Sequence, residues 1–270
     1  MSVSTANQKF WNELCGTFLL QKKGIVVEGP QDLEDFDHFY FDFYPYLSPY
    51  LDKLNPKGKK ILEIGLGFGT VGHYLQKVGA DYTGLDIAKG PVEAMQERIE
   101  FFKLSGQATQ GNALDIPFKA ETFDAVVAIG SLHHTGDLAR AIQEAHRVLK
   151  PKGKALVMVY SRFSYIQWLR WPWQTMKALF EEEGLIAESP EVQESQRFYY
   201  DRNSLGDAAP CTELTSTKRA KKLFSNFQQT DIVIENCTSL RFGDTTFIAR
   251  ESLLPWLSRV GLDLYILGTK

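Results

Sequence analysis

Two histidines stand side by side at His133 and His134, within the stretch GSLHHTGD (Gly130 to Asp137), in a chain of 270 residues that has five histidines in all. Adjacent imidazoles could bind a metal, take a proton as a base, or brace a loop. A second group of residues with chemical potential lies upstream: Glu63, then Gly65, Gly67 and Gly69, then Asp86. Glycines at a strand-to-helix junction permit a tight turn and let a ligand approach the backbone, and the start of the helix adds N–H donors.

The elements that must carry these residues are legible from Pro56 to Tyr160 as short apolar runs alternating with helical patterns. KKILEIGLG (Lys59 to Gly67) reads as a buried strand, followed by a helix over TVGHYLQKVG that Gly79 closes. DYTGLDI (Asp81 to Ile87) is a second strand, with a helix after it that Gly106 ends. ATQGNALDIPF carries a short third strand. TFDAVVAIGS is a fourth, and its continuous apolar core suits a central place in a parallel sheet. The helix LARAIQEAHRVLK follows, capped by Asp137, and PKGKALVMVY supplies a turn and a fifth strand. TDIVIEN and LDLYILGTK add two more. This rhythm predicts an α/β fold with a doubly wound, seven-stranded, mostly parallel sheet. Residues 56–160 form its core and 213–270 its C-terminal part, the latter opening on a helix capped by Thr215 or Ser216. Residues 1–55 are an aromatic N-terminal cap, and 161–212 an inserted lid between the fifth and sixth strands.

Composition narrows the function classes. Apolar residues make up 44% and charged residues 23%, which suits a globular protein with a sizeable core. A net charge of −3 offers no footprint for nucleic acid. Cys15, Cys211 and Cys237 form no CxxC pair, which fits a reducing, cytoplasmic setting. The N-terminus lacks the pattern of a secretory signal, and no apolar run is long enough for stable membrane insertion. Oligomeric state is not encoded in any pattern read here.

The glycine loop LEIGLGFGT, Asp86 at the end of the second strand, and GNALDIPF…FDAVVAIGSLHH in that order resemble the class I S-adenosylmethionine-dependent methyltransferases. RVLKPKGKALVMV is also a run typical of that family. The resemblance covers Ile61 to about Tyr160 and implies a Rossmann-like methyltransferase fold with S-adenosyl-L-methionine as cofactor. It implies that Gly65, Gly67 and Gly69 lie against the methionine part, that Glu63 offsets its positive groups, and that Asp86 accepts both ribose hydroxyls. It places Ile87 against the adenine, Asn112 and Ala113 at the adenine edge, and Ile129 with them. Asn112 stands where the family usually has Asp; an amide oxygen still accepts a hydrogen bond, but the site is altered there.

In that setting the histidine pair falls at the carboxyl edge of the sheet, where open α/β folds bind ligands. Methyl transfer is an in-line displacement governed by alignment, and a hydroxyl nucleophile must also lose a proton. Adjacent side chains diverge, and related small-molecule enzymes favour the first position as acceptor-facing. His133 is therefore the candidate general base and His134 its support, with bracing of the loop by both as the alternative. Adjacent histidines rarely chelate one ion, and no Asp, Glu or Cys has ligand spacing with them, so no metal is expected. Tyr40, Tyr44 or Tyr46 could place a phenol beside the acceptor. Trp168, Trp171, Trp173 and Phe180 could line an acceptor pocket, form the lid's own core, or make an interfacial helix; Tyr199, Tyr200 and Asp201 are further candidate contacts. The expected activity is methylation of a small, partly apolar acceptor, at oxygen. A non-catalytic module binding S-adenosylmethionine or S-adenosylhomocysteine, and a protein or RNA methyltransferase, are the alternatives.

Overall fold

The computed structural model describes residues 2–13, 30–185, 192–236 and 259–270, with two further strands at 240–242 and 245–248. Cys15, Cys237 and the middle of the acidic run, 186–191, lie outside the described residues.

Seven strands form one sheet: β1 (Lys60–Ile64), β2 (Asp81–Asp86), β3 (Gln107–Gln110), β4 (Phe123–Ile129), β5 (Leu149–Tyr160), β6 (Gln229–Glu235) and, at the end of the chain, β9 (Asp263–Thr269). A separate antiparallel pair joins β7 (Leu240–Phe242) to β8 (Thr245–Ile248). The order in the large sheet is β3-β2-β1-β4-β5-β9-β6. β9 runs antiparallel to both its neighbours, and every other pairing is parallel. This is the predicted doubly wound, mostly parallel sheet.

Alternation along the strands explains why helices cover both faces. Leu62, Ile64, Val126 and Ala128 point to one side, where they pack with Leu138, Ile142 and Ala145 of α6 (Leu138–Val148) and with Ala220 of α10 (Thr217–Leu223). Ile61, Ala125 and Val127 point to the other. They meet Leu47 and Leu51 of α3 (Leu47–Asp52), Val71 and Leu75 of α4 (Thr70–Lys77), and Val92 and Met95 of α5 (Lys89–Phe101). β4 lies between β1 and β5 with both faces covered, so its run of apolar residues has no polar alternation.

Two boundaries differ from the sequence expectation. α5 stops at Phe101, five residues before Gly106, because Lys103 adopts φ 53° and Leu104 N–H folds back to Ile99 O. Gly106 serves packing instead: a Cβ there would lie 2.3 Å from Gln76 Oε1. β5 begins at Leu149, ahead of the Pro-Lys-Gly turn, and absorbs that turn as a register shift opposite Phe123 and Ala125. Ser216 caps α10, accepting from Arg219 N–H at 3.0 Å, and Asp137 caps α6, accepting from Arg140 N–H at 2.9 Å.

Outside the sheet, α1 (Val3–Phe10) and α2 (Pro30–Phe43) precede the core, and α7 (Tyr165–Arg170), α8 (Pro172–Glu182) and α9 (Glu194–Tyr200) follow β5. The chain leaves β5 at Ser161 and returns at Thr215, where the two residues pair; Thr215 N–H donates to Tyr160 O and Arg162 N–H to Thr215 O. α2 is held to the core by a buried ion pair. Arg98, with no exposed surface, donates to both oxygens of Asp37 at 2.8 and 3.0 Å, and His73 Nδ1 lies 2.7 Å from Asp37 Oδ2. Although burial pushes the Asp37 carboxyl up, these contacts from His73 and Arg98 hold it below the usual carboxylate range.

Candidate active site at the switch point of the sheet

From β1 the chain steps outward to β2 and β3, then recrosses to β4 on the other side of β1. The carboxyl ends of β1 and β4 therefore diverge, and a crevice opens between them. A cavity occupies it. Glu63, Ile64 and the loop Gly65–Phe68 line one side, with Asp86 and Ile87 after β2, Asn112 and Ala113 after β3, and Ile129 to Leu132 after β4. A second wall is built from Asn7 and Trp11 of the N-terminal segment, Phe36 and Tyr40 of α2, and His134, with the Phe36 ring 4.7 Å from that of Phe68 in the loop.

The glycine loop has a specific steric reason at Gly65. Its φ is 84°, and a Cβ would lie 2.3 Å from Ser131 Cβ across the crevice. Ser131 Oγ in turn donates to Ile64 O at 2.5 Å, so the two strand ends are tied together. Gly69 serves another purpose. It is the left-handed N-cap of α4 and does not line the cavity; a Cβ would come within 2.9 Å of Arg98 Cδ and Met95 Sδ. Gly72, which the sequence reading did not single out, leaves space for the Glu63–Tyr82 pair, since a Cβ there would lie 2.5 Å from Tyr82 Oη.

The carboxylates are set by their surroundings. Glu63 is buried and accepts from Tyr82 O–H at 2.5 Å. Burial, with Asp86 nearby, pushes its carboxyl up to about 8 against the pull of the Tyr82 hydrogen bond. Asp86 accepts from Ala88 N–H at Oδ1 and from Leu66 N–H at Oδ2, each at 2.8 Å. Burial raises it to about 6, and these two backbone donors moderate the rise. The Leu66 bond fixes the glycine loop to the end of β2, and each Asp86 oxygen keeps lone-pair capacity for a further donor. Asn112 Oδ1 accepts from Leu114 N–H at 2.9 Å, which commits the side-chain oxygen to a local turn and leaves the NH₂ group as its remaining polar handle.

The structure separates the two histidines in the reverse sense of the sequence expectation. Both fall in a 3₁₀ turn, Leu132–His134. His133 does not line the cavity: it is fully buried, neither ring nitrogen has a hydrogen-bond partner among the described residues, and its ring lies 4.3 Å from that of Tyr160. Burial, reinforced by neighbouring His134, holds its pKa well below the ordinary imidazole value, so it is neutral. His134 lines the cavity, its ring 4.8 Å from Trp11. Its Nδ1 lies 2.7 Å from Cys211 O, which fixes the proton on Nδ1, because a carbonyl can only accept. Its Nε2 faces Asp201 Oδ2 at 3.5 Å, and both atoms are closed to solvent. Asp201 Oδ1 accepts from Tyr160 O–H at 3.1 Å, and burial pushes the Asp201 carboxyl up while His134 and Tyr160 pull it back.

Residues distant in sequence complete the wall. Asn7 Nδ2 donates to His134 O at 2.5 Å across 127 residues, and Glu213 N–H donates to His133 O at 2.8 Å. Of the predicted aromatic contacts, Tyr40 lines the cavity; Tyr44 and Tyr46 pack against one another, and Tyr46 against Tyr265. Trp168, Trp171, Trp173 and Phe180 do not line it, and Trp173 and Phe180 face outward. Trp11 lies in the N-terminal FWNELCG, a stretch that fits a substrate-side element, whereas no local pattern marks Asn7.

The fold and this crevice together define a cofactor-binding Rossmann-like domain. The profile of the methyltransferase domain family matches residues 62–157, which run from β1 to β5. The demethylmenaquinone methyltransferase of Corynebacterium kroppenstedtii is 30% identical over 165 residues, covering 57% of this chain and 67% of that protein. The ubiquinone biosynthesis O-methyltransferase of Azorhizobium caulinodans is 30% identical over 106 residues, covering 39% of this chain and 42% of that protein. Among solved structures, a methyltransferase of Thermotoga maritima described as a possible histamine N-methyltransferase has the same fold, with a TM-score of 0.50 at 18% identity over 87% of this chain and 98% of that one. The chain belongs to the class I S-adenosylmethionine-dependent methyltransferases.

The cavity suits that family's cofactor on its own terms. A buried carboxyl at Glu63 without a cationic partner in hydrogen-bond contact is matched by a ligand that brings positive charge. Asp86 suits a vicinal diol, and the apolar Ile87 and Ala113 suit a planar ring beside the Asn112 amide.

Proposed function

We propose that this chain methylates a small, partly apolar acceptor carrying a ring hydroxyl, of the quinol or phenol type, with transfer to oxygen. The observation that carries the reading is the two-sided cavity: a glycine loop and carboxylates on one wall, and Trp11, Phe36, Tyr40 and His134 on the other. The relatives' names support the acceptor class, since two of them are methyltransferases of menaquinone and ubiquinone biosynthesis.

S-adenosylmethionine supplies a methyl group activated by its sulfonium. Gly65, Gly67 and Asp86 would hold it, with Glu63 ionised against its positive end and Ile87, Asn112, Ala113 and Ile129 around the adenine. Gly69 supports the same loop from behind through its contact with α5. The aromatic wall would seat a flat acceptor ring and exclude water, which aligns the hydroxyl oxygen with the transferring carbon. His134, with Nδ1 held by Cys211 O and Nε2 turned to Asp201, would set its ring against the acceptor and so position the hydroxyl. His133, neutral and enclosed, supports the turn.

The test is transfer of a radiolabelled methyl group from S-adenosylmethionine to a panel of quinols, catechols, amines and acidic peptides, with product identified by mass. Labelled methyl ethers of quinols or catechols are the expected result. Methylation confined to amines or peptides would overturn the acceptor class. Binding of the cofactor without transfer to any member would support a binding module in place of an enzyme.

A further inference from the structure

The helices that follow β5 display an apolar face that the candidate active site does not use. Trp173 is 83% exposed, and Met176 and Phe180 are exposed at i+3 and i+7 on the same side of α8. Leu169, at the end of α7, is 69% exposed. The opposite side of α8 is seated on the protein through buried Thr175, Ala178 and Glu181. Large apolar side chains grouped in this way on a surface helix mark a contact site.

The charges around this face indicate its occupant. The sequence places three glutamates at the end of α8, which would repel an anionic surface. The structure turns them inward or pairs them. Glu181 is buried and pairs with Arg162; Glu182 accepts from Ser216 O–H; and Glu183 lies 3.3 Å from Lys218 Nζ. Beside the apolar residues stand cations instead: Lys177, 57% exposed, lies 3.7 Å from buried Glu181, which Arg162 also pairs, and the Arg170 guanidinium lies over the Tyr199 ring at 4.5 Å. Exposed Trp and Leu flanked by Lys and Arg, with the glutamates at the end of α8 engaged by Arg162, Ser216 and Lys218, form the pattern that seats a helix in the headgroup layer of a bilayer carrying anionic lipid. Among the described residues no helix is long and apolar enough to cross a membrane, so such attachment would be peripheral.

We propose that the α7–α8 face docks the protein on the surface of an anionic lipid bilayer, with Leu169, Trp173 and Phe180 as anchors and Lys177 and Arg170 against the headgroups. The proposal does not depend on the acceptor. It does fit an acceptor with an apolar tail, which would be drawn from the same surface.

The experiment is flotation of the full chain, without cofactor or acceptor, with vesicles of phosphatidylcholine and phosphatidylglycerol and with phosphatidylcholine alone. The wild-type chain should float with the mixed vesicles and lose binding as salt is raised. Leu169→Ser with Trp173→Ser should lower the partition coefficient about tenfold or more while the circular dichroism melt stays unchanged, since both side chains face solvent. Lys177→Glu should weaken binding to mixed vesicles and leave binding to phosphatidylcholine alone unaltered. Absence of wild-type binding to either vesicle, or a double variant that floats like wild type, would overturn the proposal. So would a wild-type dimer that Trp173→Ser converts to monomer, because the face would then be an interface between copies.

Discussion

The two walls of the cavity are built on different plans. On the cofactor wall each decisive residue sits at the end of a strand or in the turn just after it, and its partners are mostly backbone groups of neighbouring strands: Asp86 holds Leu66 and Ala88 N–H, and Ser131 holds Ile64 O. On the wall proposed for the acceptor the residues come from segments far apart in the chain. His134 depends on Asn7 from one end and on Asp201 and Cys211 from the insertion. The first wall is held by the sheet itself; the second is held by contacts among α1, α2 and the returning segment. Cofactor binding and acceptor geometry should therefore respond to different mutations.

The sharpest division is expected at the ion pair that holds α2. Asp37→Ala strands the Arg98 guanidinium without its bidentate partner in a site with no exposed surface. It should cost about 3–5 kcal/mol in urea unfolding. Because Phe36 and Tyr40 ride on the same helix, KM for the acceptor should rise more than the dissociation constant of the cofactor. Equal loss on both would mean that the walls are not independent.

Next in size is Asp86→Ala. It removes the ligand-facing carboxylate and leaves Leu66 and Ala88 N–H without acceptors, so affinity for S-adenosylhomocysteine should fall about 100-fold, or close to 3 kcal/mol. Calorimetry measures this directly, and unchanged affinity would remove the ribose assignment.

A smaller effect is expected with pH. The Glu63 carboxyl, raised to about 8, holds a proton in the free protein at neutral pH, and a cationic ligand seated against it favours the ionised form. Binding should then release a proton. Affinity should increase as pH rises toward 8, by at most about tenfold per unit, and level off above it. Titrations in buffers of different ionisation enthalpy report the released proton. Affinity that stays flat or declines over this range would contradict the charge role given to Glu63.

The contrast between the walls also explains what could be read in advance. Glycine spacing, the strand-end Asp86 and the buried run of β4 are local patterns, and the structure brings Gly65, Gly67, Asp86, Ile87, Asn112, Ala113 and Ile129 around one cavity. Gly69 carries the same local signal, yet its neighbours Arg98 and Met95 belong to another helix, so spacing alone could not reveal its packing duty. The histidines mark the limit of local reading. Adjacent residues point apart, and which of them faces the crevice depends on the 3₁₀ turn at Leu132–His134 and on the segment around Cys211 that closes over it. Nothing in GSLHHTGD encodes that segment, which lies 77 residues further on. The outward face of α8 is a similar case. Its aromatics are visible in the sequence, with an interfacial helix among their possible roles, whereas the pairing of its glutamates with Arg162, Ser216 and Lys218 is a product of tertiary packing.

The claim on which the functional account turns is that His134, and not His133, faces the acceptor. Single-turnover methylation of a quinol acceptor by His134→Ala and His133→Phe, alongside cofactor affinity for each, tests it most directly. The account predicts that His134→Ala, by loosening the seat of the acceptor, slows transfer about 100-fold with cofactor affinity near wild type. His133→Phe, replacing a ring whose nitrogens have no partners, should remain within about threefold of wild type and unfold no more easily. A slow His133→Phe beside an unaffected His134→Ala would contradict it.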